Sequence, residues 1–496
     1  MESACAFTKH AELLQNRLCL TKHAVRGRKK LKSLTKSKIW LFAVGQFGWA
    51  LLSALIGTYL VNFYLPGESD IAAGHPILIP QGRVIFGVLT IIGLVTALGR
   101  LFDAVTDPLI ASLSDKCKSK DGRRIPFIKI FALPFALSTV LVFCAPFAAT
   151  EKGKILNAIW LCVAVLAYYL FITCYCTPYT ALYSEITHTA DERMMASSAI
   201  SFTFIVGQAV GYLAPNFWNL LVPSMGRVGA IRMIFVCFAI IALVCMCVPV
   251  FAIKEKDYVE GAPSQAGVWE SLGKTFQNKS FCVFVGSDIF YWIGLTMFQT
   301  GIPYFVKELI GLPETWQGLL LVLMTAVSVL FYIPINVITK RFGKKKILLL
   351  AFMLFTIVFA FTAFSGMFQG NDENVINFFG EVPLYKLVQG LVLVIFGALP
   401  LAIFGILPQA MVADCAEADR ITTGESRQGM FFAARTFCFK LGQSLAMIIF
   451  TSLATLGSHG FGYRVAALSA SILCLIGGII LMFYNEKKVL SVTANK

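Results

Sequence analysis

Charge is what this 496-residue sequence has least of: Asp, Glu, Lys and Arg together make up 14% of it, against about a quarter in soluble proteins. With 57% hydrophobic residues and a mean hydropathy of +0.75, a water-soluble globular fold is excluded. Histidine is scarcer still. The five, His10, His23, His75, His188 and His459, all lie outside the long apolar runs, and there is no zinc spacing, nucleophile elbow or phosphate loop, so an enzyme is not expected. Fourteen cysteines give no disulfide framework, because most of them, Cys174, Cys176, Cys245 and Cys247 included, fall inside apolar runs and read as small packing residues. The first 38 residues lack the apolar core and small-residue cleavage site of a signal peptide and read as a basic cytoplasmic extension beside an anionic lipid surface.

What is present is a series of twelve apolar stretches, each long enough to cross a bilayer at roughly 20 residues. They run from 39–65 and 83–114 through 125–149, 155–184, 195–221 and 230–253, then from 280–306 through 315–339, 347–369, 384–412 and 428–456 to 461–484. The expected fold is therefore an all-α polytopic membrane protein with two six-helix bundles, 39–253 and 280–484. A polar linker, 254–279, joins them, and 485–496 is a cytoplasmic tail. Basic turns six helices apart, Ser114 to Arg124 and Thr339 to Lys346, mark an internal repeat. The net charge of +15 could suggest a nucleic-acid partner, but most Lys and Arg sit in the N-terminal segment, the even-numbered loops and the tail. By the positive-inside rule that distribution is topological and puts both termini in the cytoplasm, with a lipid bilayer and no nucleic acid as partner.

Within the second stretch stand two aspartates, Asp103 and Asp107. At i and i+4, about 100° per residue, they share one helix face. A lone carboxylate near the centre of a membrane helix costs roughly 2.5 to 3.5 kcal/mol, so a pair on one face must recover that through a bound cation or a buried partner. Stacked carboxylates supply hard oxygen ligands to a small cation, or share a proton when none is bound. Lys440 is the second intramembrane charge, in an otherwise apolar eleventh stretch, and a buried ammonium needs a carboxylate or a substrate to stay charged.

The segment 99–127, with Arg100, Asp103, Asp107, Pro108, Asp115, Gly122, Arg123, Arg124 and Pro126, resembles the second-helix signature of the glycoside-pentoside-hexuronide:cation symporters. Residues 178–193 (Pro178, Glu185, Asp191, Glu192 and Arg193 among them) and 411–442 (Asp414, Glu417, Gly424, Arg427, Gly429, Lys440 and Gly442) are similar to two further stretches of that family. The resemblance implies a major facilitator fold and cation-coupled uptake of a glycoside or related sugar at the cell membrane by a functional monomer. It implies no cofactor beyond the coupling cation, Na⁺ or H⁺. It also places Asp103, Asp107, Thr106 and Thr173 at the cation, the aspartates as the metal ligands if that ion is sodium. Thr106 stands where relatives carry Asn.

The family sets Lys440 in the central cavity, and Arg435, Thr436 and Tyr179 are expected to border it. Arg193, Asp414, Glu417 and Arg427, with Glu185, fall where the family closes its cytoplasmic gate. The three polar residues with which relatives grip sugar become Ala50, Cys176 and Ser201 here. Arg435, about 140° round the helix from Lys440, suggests an acidic, hexuronide-like solute bound through paired guanidinium hydrogen bonds; pairing of Arg435 with Asp288 is the alternative. Phe47, Trp49 and Phe432 are further candidates for stacking on a pyranose. A lysophospholipid symporter, which shares the paired aspartates and the lysine, is the competing functional class.

Overall fold

The computed structural model describes residues 33–259, 273, 275–368, 370, 375–377, 381–423 and 428–494. Most of the N-terminal extension, the middle of the linker and Arg427 lie outside the described residues. The chain forms helices α1 (Lys36–Tyr64), α2 (Glu68–Ala72), α3 (Ile91–Lys116), α4 (Ile125–Val142), α5 (Glu151–Ile186), α6 (Ala190–Tyr212) and α7 (Ala214–Ala252). There follow α8 (Lys279–Tyr304), α9 (Thr315–Leu330), α10 (Tyr332–Phe342), α11 (Lys344–Phe364), α12 (Leu384–Thr423), α13 (Gln428–Ala454), α14 (Phe461–Met482) and α15 (Glu486–Ala494). A two-stranded antiparallel hairpin, Val375–Asn377 with Glu381–Pro383, lies before α12.

Helix starts follow local chemistry. Thr90 and Thr150 cap α3 and α5 by accepting from Gly93 N and Gly153 N, and Thr189 with Glu192 closes a reciprocal capping box on α6. Gly226, at φ 71° and ψ 166°, breaks α7 into two arms, a conformation that a side chain would strain. Past α8 the chain widens into a π-turn, Phe305–Ile310, ended by Gly311 in the left-handed region.

Among the described residues, nine helical runs are long and apolar enough to cross a membrane, or ten if the pair α9 and α10, bent by 48°, is one span. One of the nine runs through both α6 and α7. Rows such as Ile130, Leu133 and Leu137 on α4 are exposed at helical spacing, an apolar surface that suits lipid rather than water. A buried amide shows the internal satisfaction that lipid demands: the side chain of Asn157, fully buried, bonds Leu78 O, Phe147 O and Phe147 N, each at 3.0 Å.

Helices α1 and α3 to α7 pack as one group, and α8, α9 and α11 to α14 as another. The groups meet chiefly along α3 and α13, with further contacts of α1 on α8 and of α9 on α6 and α7. The α9–α6 approach is close enough that a Cβ on Gly318 would lie 1.9 Å from Tyr212 O.

Candidate functional site

Four polar contacts stitch α3 to α13 across the two groups. Thr90 Oγ1 bonds Thr451 Oγ1 at 2.8 Å, Ser444 Oγ donates to Ala97 O at 2.9 Å, and Lys440 Nζ reaches the two aspartates. The ammonium lies 2.8 Å from Asp103 Oδ2 and 2.5 Å from Asp107 Oδ2. The i, i+4 spacing read from the sequence thus places both carboxylates on the face that meets α13. Helix α5 supports them from the other side: Thr173 Oγ1 donates to Asp103 Oδ1 at 2.6 Å and Thr177 Oγ1 to Asp107 Oδ1 at 3.2 Å. Threonines one turn apart answer aspartates one turn apart. Thr177 was missed from sequence, although its spacing from Thr173 matches that of the aspartates.

Thr106 does not reach the carboxylates by its hydroxyl, which donates to Asp103 O at 3.2 Å, the back-bond a helical threonine often makes. The Asp107 side chain is 26% exposed against 8% for Asp103, so Asp107 is the open side of the site. Arg100, one turn before Asp103, lays its guanidinium over the Tyr169 ring at 5.2 Å. Across α3 and α13 the formal charges of two carboxylates, one ammonium and one guanidinium sum to zero. The Oδ2 atoms of Asp103 and Asp107, which the Lys440 ammonium now holds, are hard oxygen donors that suit a monovalent cation, while Thr173 and Thr177 fix the carboxylates through Oδ1. Among the described residues no group of three or more His, Cys, Asp and Glu could hold a metal ion.

Arg435 is spent elsewhere. Its Nε and Nη2 bond Asp288 Oδ2 and Oδ1 at 2.7 and 3.1 Å, and both residues are buried, at 4% and 3% exposure. The bidentate partner foreseen for an acidic solute is therefore a carboxylate of α8, which an anion would have to displace. Tyr179 is likewise committed to packing: its ring stacks on Phe42 at 4.4 Å and its hydroxyl donates to Phe42 O at 2.6 Å, tying α5 to α1. Thr436 is half-buried beside Arg435, while Phe432 is exposed.

At the end of the bundle that carries the basic turns, charges pair inside their own helix group. Arg124 binds Glu185 at 2.8 Å and also Asp115, and Glu255 accepts from the N–H groups of Arg123, Arg124 and Ile125 at the start of α4. The second group repeats this: Lys344 binds Asp414 at 2.5 Å, and Glu486 accepts from Lys344 N and Lys345 N at the start of α11. Each repeat has a carboxylate arriving after its sixth stretch to cap its third. Of the expected gate residues, Asp414 holds Lys344, Glu417 holds Arg420 at 2.6 Å, and Arg193 donates to Thr187 O at 3.2 Å.

The opposite end, where α2 lies, is joined across the groups by a charge cluster the sequence did not reveal. Asp70, 1% exposed, accepts from Arg227 Nη1 at 2.7 Å and from Lys307, with His75 Nδ1 3.1 Å away. Arg227 Nη2 also binds Glu314 at 2.8 Å. Burial alone would raise the Asp70 carboxyl, but Arg227 and Lys307 outweigh it and hold Asp70 below the usual range. Burial pushes Glu314 up.

A family model described as MFS/sugar transport protein matches residues 41–485. The chain is 23% identical to the uncharacterized symporter sll1374 of Synechocystis, over 86% of each chain. It is 26% identical to the sodium-dependent lysophosphatidylcholine symporter 1-A of Danio rerio, over 67% of this chain and 64% of that one. Among solved structures, a D-xylose-proton symporter superposes with a TM-score of 0.61 at 13% identity, covering 91% of this chain and 98% of that one.

Proposed function

Because the chain belongs to the MFS/sugar transport protein family, with the glycoside-pentoside-hexuronide:cation symporters as its kin and the major facilitator fold as its architecture, we propose that it is a cation-coupled symporter of a neutral glycoside or related sugar. That it is a secondary transporter follows from the family. The coupling and the solute are our reading.

One observation carries the coupling: a single ammonium from one helix group is held by two carboxylates of the other. A cation entering between Asp103 and Asp107 competes with Lys440 for the same oxygens. Binding an ion there cancels the need for the cross-group salt bridge, so ion occupancy and the seam between the groups are linked. Sodium and proton both satisfy this exchange. A neutral solute is favoured because the Arg435 guanidinium already has its carboxylate.

In this reading the ten spans become twelve when α3, set apart by its charges Arg100, Asp103 and Asp107, is added and the run 191–257 is divided at Gly226. The halves are 39–253 and 280–484, the linker and both termini are cytoplasmic, and the protein works as a monomer in the cell membrane. The α2 end then faces outward. Its cross-half cluster supports an outward-closed conformation, in which Arg193, Asp414, Glu417 and Arg427 are the residues that would close the inner side in the opposite state.

A second reading, symport of a lysophospholipid, rests on the Danio rerio relative. Counterflow in proteoliposomes with neutral glycosides, acidic glycosides and lysophosphatidylcholine, with and without sodium, separates the two. Exchange of a neutral glycoside supports the proposal; exchange of lysophosphatidylcholine alone replaces it.

A further inference from the structure

We infer that α2 is the outer latch of the carrier, with Asp70 as its hub, and that release of this latch is the step that opens the outward side; this rests on the alternating-access reading above. The short helix belongs to the N-terminal half, yet the C-terminal half grips its first three residues, Glu68, Ser69 and Asp70. Glu308 accepts from Ser69 Oγ at 2.6 Å and from Ser69 N at 3.3 Å, Lys307 binds Asp70, and His459 N donates to Glu68 Oε2 at 2.9 Å. Just before α2, Tyr304 Oη donates to Leu65 O at 2.5 Å.

Two backbone irregularities aim these groups. The π-turn 305–310 lets consecutive residues, Lys307 and Glu308, both face α2. Gly226 breaks α7 one residue before Arg227, which then reaches Asp70 on its own half and Glu314 on the other. All the ionic contacts of Asp70 fall on Oδ1, while Oδ2 is buried without a hydrogen-bond partner. Loss of that carboxylate charge therefore leaves Arg227 and Lys307 facing each other with Glu314, on Arg227, as the remaining anion of the cluster.

The cluster is also built to come apart. When the halves separate, Arg227 keeps Asp70, while Lys307 stays on the same half as Glu314, whose charge it already feels. Of Asp70, Arg227, Lys307 and Glu314, each half retains one cation and one anion, so opening exchanges partners rather than exposing a lone buried charge. Strong closure with a low cost of release suits a latch that must cycle.

The test uses the full-length protein in oriented membranes. Thr451, fully buried at the α3–α13 seam near this end, is replaced by cysteine and labelled by a membrane-impermeant maleimide from outside, with the parent chain measuring background from native cysteines. Asp70→Asn, and Lys307→Gln from the other half, should each speed labelling of T451C by about tenfold, the scale expected when a charged hydrogen bond is lost from the closed state. K307Q keeps the test open should D70N fail to fold. Counterflow by the parent is measured in parallel. Protected T451C in both variants, with the parent active in counterflow, overturns the latch alone; a parent without counterflow for any solute removes the transport reading beneath it.

Discussion

Replacing Lys440 with Met tests the exchange between ammonium and coupling ion. The wild-type ammonium sits 2.8 and 2.5 Å from two carboxylates, with 11% of its side chain exposed. On the proposed coupling, an incoming sodium ion displaces it. Breaking a buried pair by removing one partner typically costs about 3 to 5 kcal/mol, and the 26% exposure of the Asp107 side chain argues for the lower end because solvent screens part of the charge. In K440M that penalty falls on the empty site, and a bound ion relieves it. Sodium affinity should therefore rise by about a hundredfold, which corresponds to about 3 kcal/mol at 1.36 kcal/mol per decade. Tighter binding slows ion release, so gradient-driven uptake should fall while counterflow, which needs no ion release, survives better. Calorimetric titration of purified protein with sodium measures the first effect and paired flux assays the second. Unchanged sodium affinity in a folded K440M protein that still accumulates solute under a sodium gradient would refute the exchange.

Two further outcomes follow from the buried charges. Arg435→Gln should lower thermal stability by about 3 to 5 kcal/mol because Asp288 is left buried and unpaired, and the double change with Asp288→Asn should recover much of it; a melting curve of R435Q equal to wild type would contradict the pairing. Outward opening should depend on pH through His75. Its pKa is lowered from 6.5, first by burial and then by Arg227, with Lys307 acting the same way against the pull of Asp70. Once the halves part and the ring is hydrated, the pKa returns towards 6.5, so the open form binds the proton more readily. Closure is thus fully favoured above about 6.5 and is lost as pH falls below it. External maleimide labelling of T451C should rise on acidification, and His75→Gln should flatten the response; an equal pH dependence in H75Q would exclude this histidine.

Much of the fold was legible because membrane helices announce themselves by length and hydropathy. Where expectation and structure part, backbone geometry is the cause. The stretch 315–339 reads as one span, yet the chain bends between α9 and α10, whereas the break at Gly226 falls in the interval expected between 195–221 and 230–253. The core of the site was legible for a different reason: Asp103, Asp107 and Lys440 stand out against apolar neighbours, where a charge is costly and must be compensated. Arg435 was visible too, and only the geometry shows it held by Asp288. Thr106 was expected at the cation by position, but its hydroxyl is satisfied by its own helix. Asp70, Arg227, Lys307 and Glu314 escaped notice because they lie in or beside loops, where a charged residue ordinarily means solvent. Chain folding alone brings residues 157 positions apart, such as Asp70 and Arg227, into one buried cluster.

The central claim is that the Asp103 and Asp107 pair couples an ion gradient to solute movement. The most direct measurement is uptake into proteoliposomes under an imposed sodium or proton gradient, using the solute that counterflow identifies, with Asp107→Asn beside wild type. Wild type should accumulate solute above its external concentration, while D107N should bring it to equilibrium or fail to move it. Accumulation by D107N equal to wild type would contradict the account.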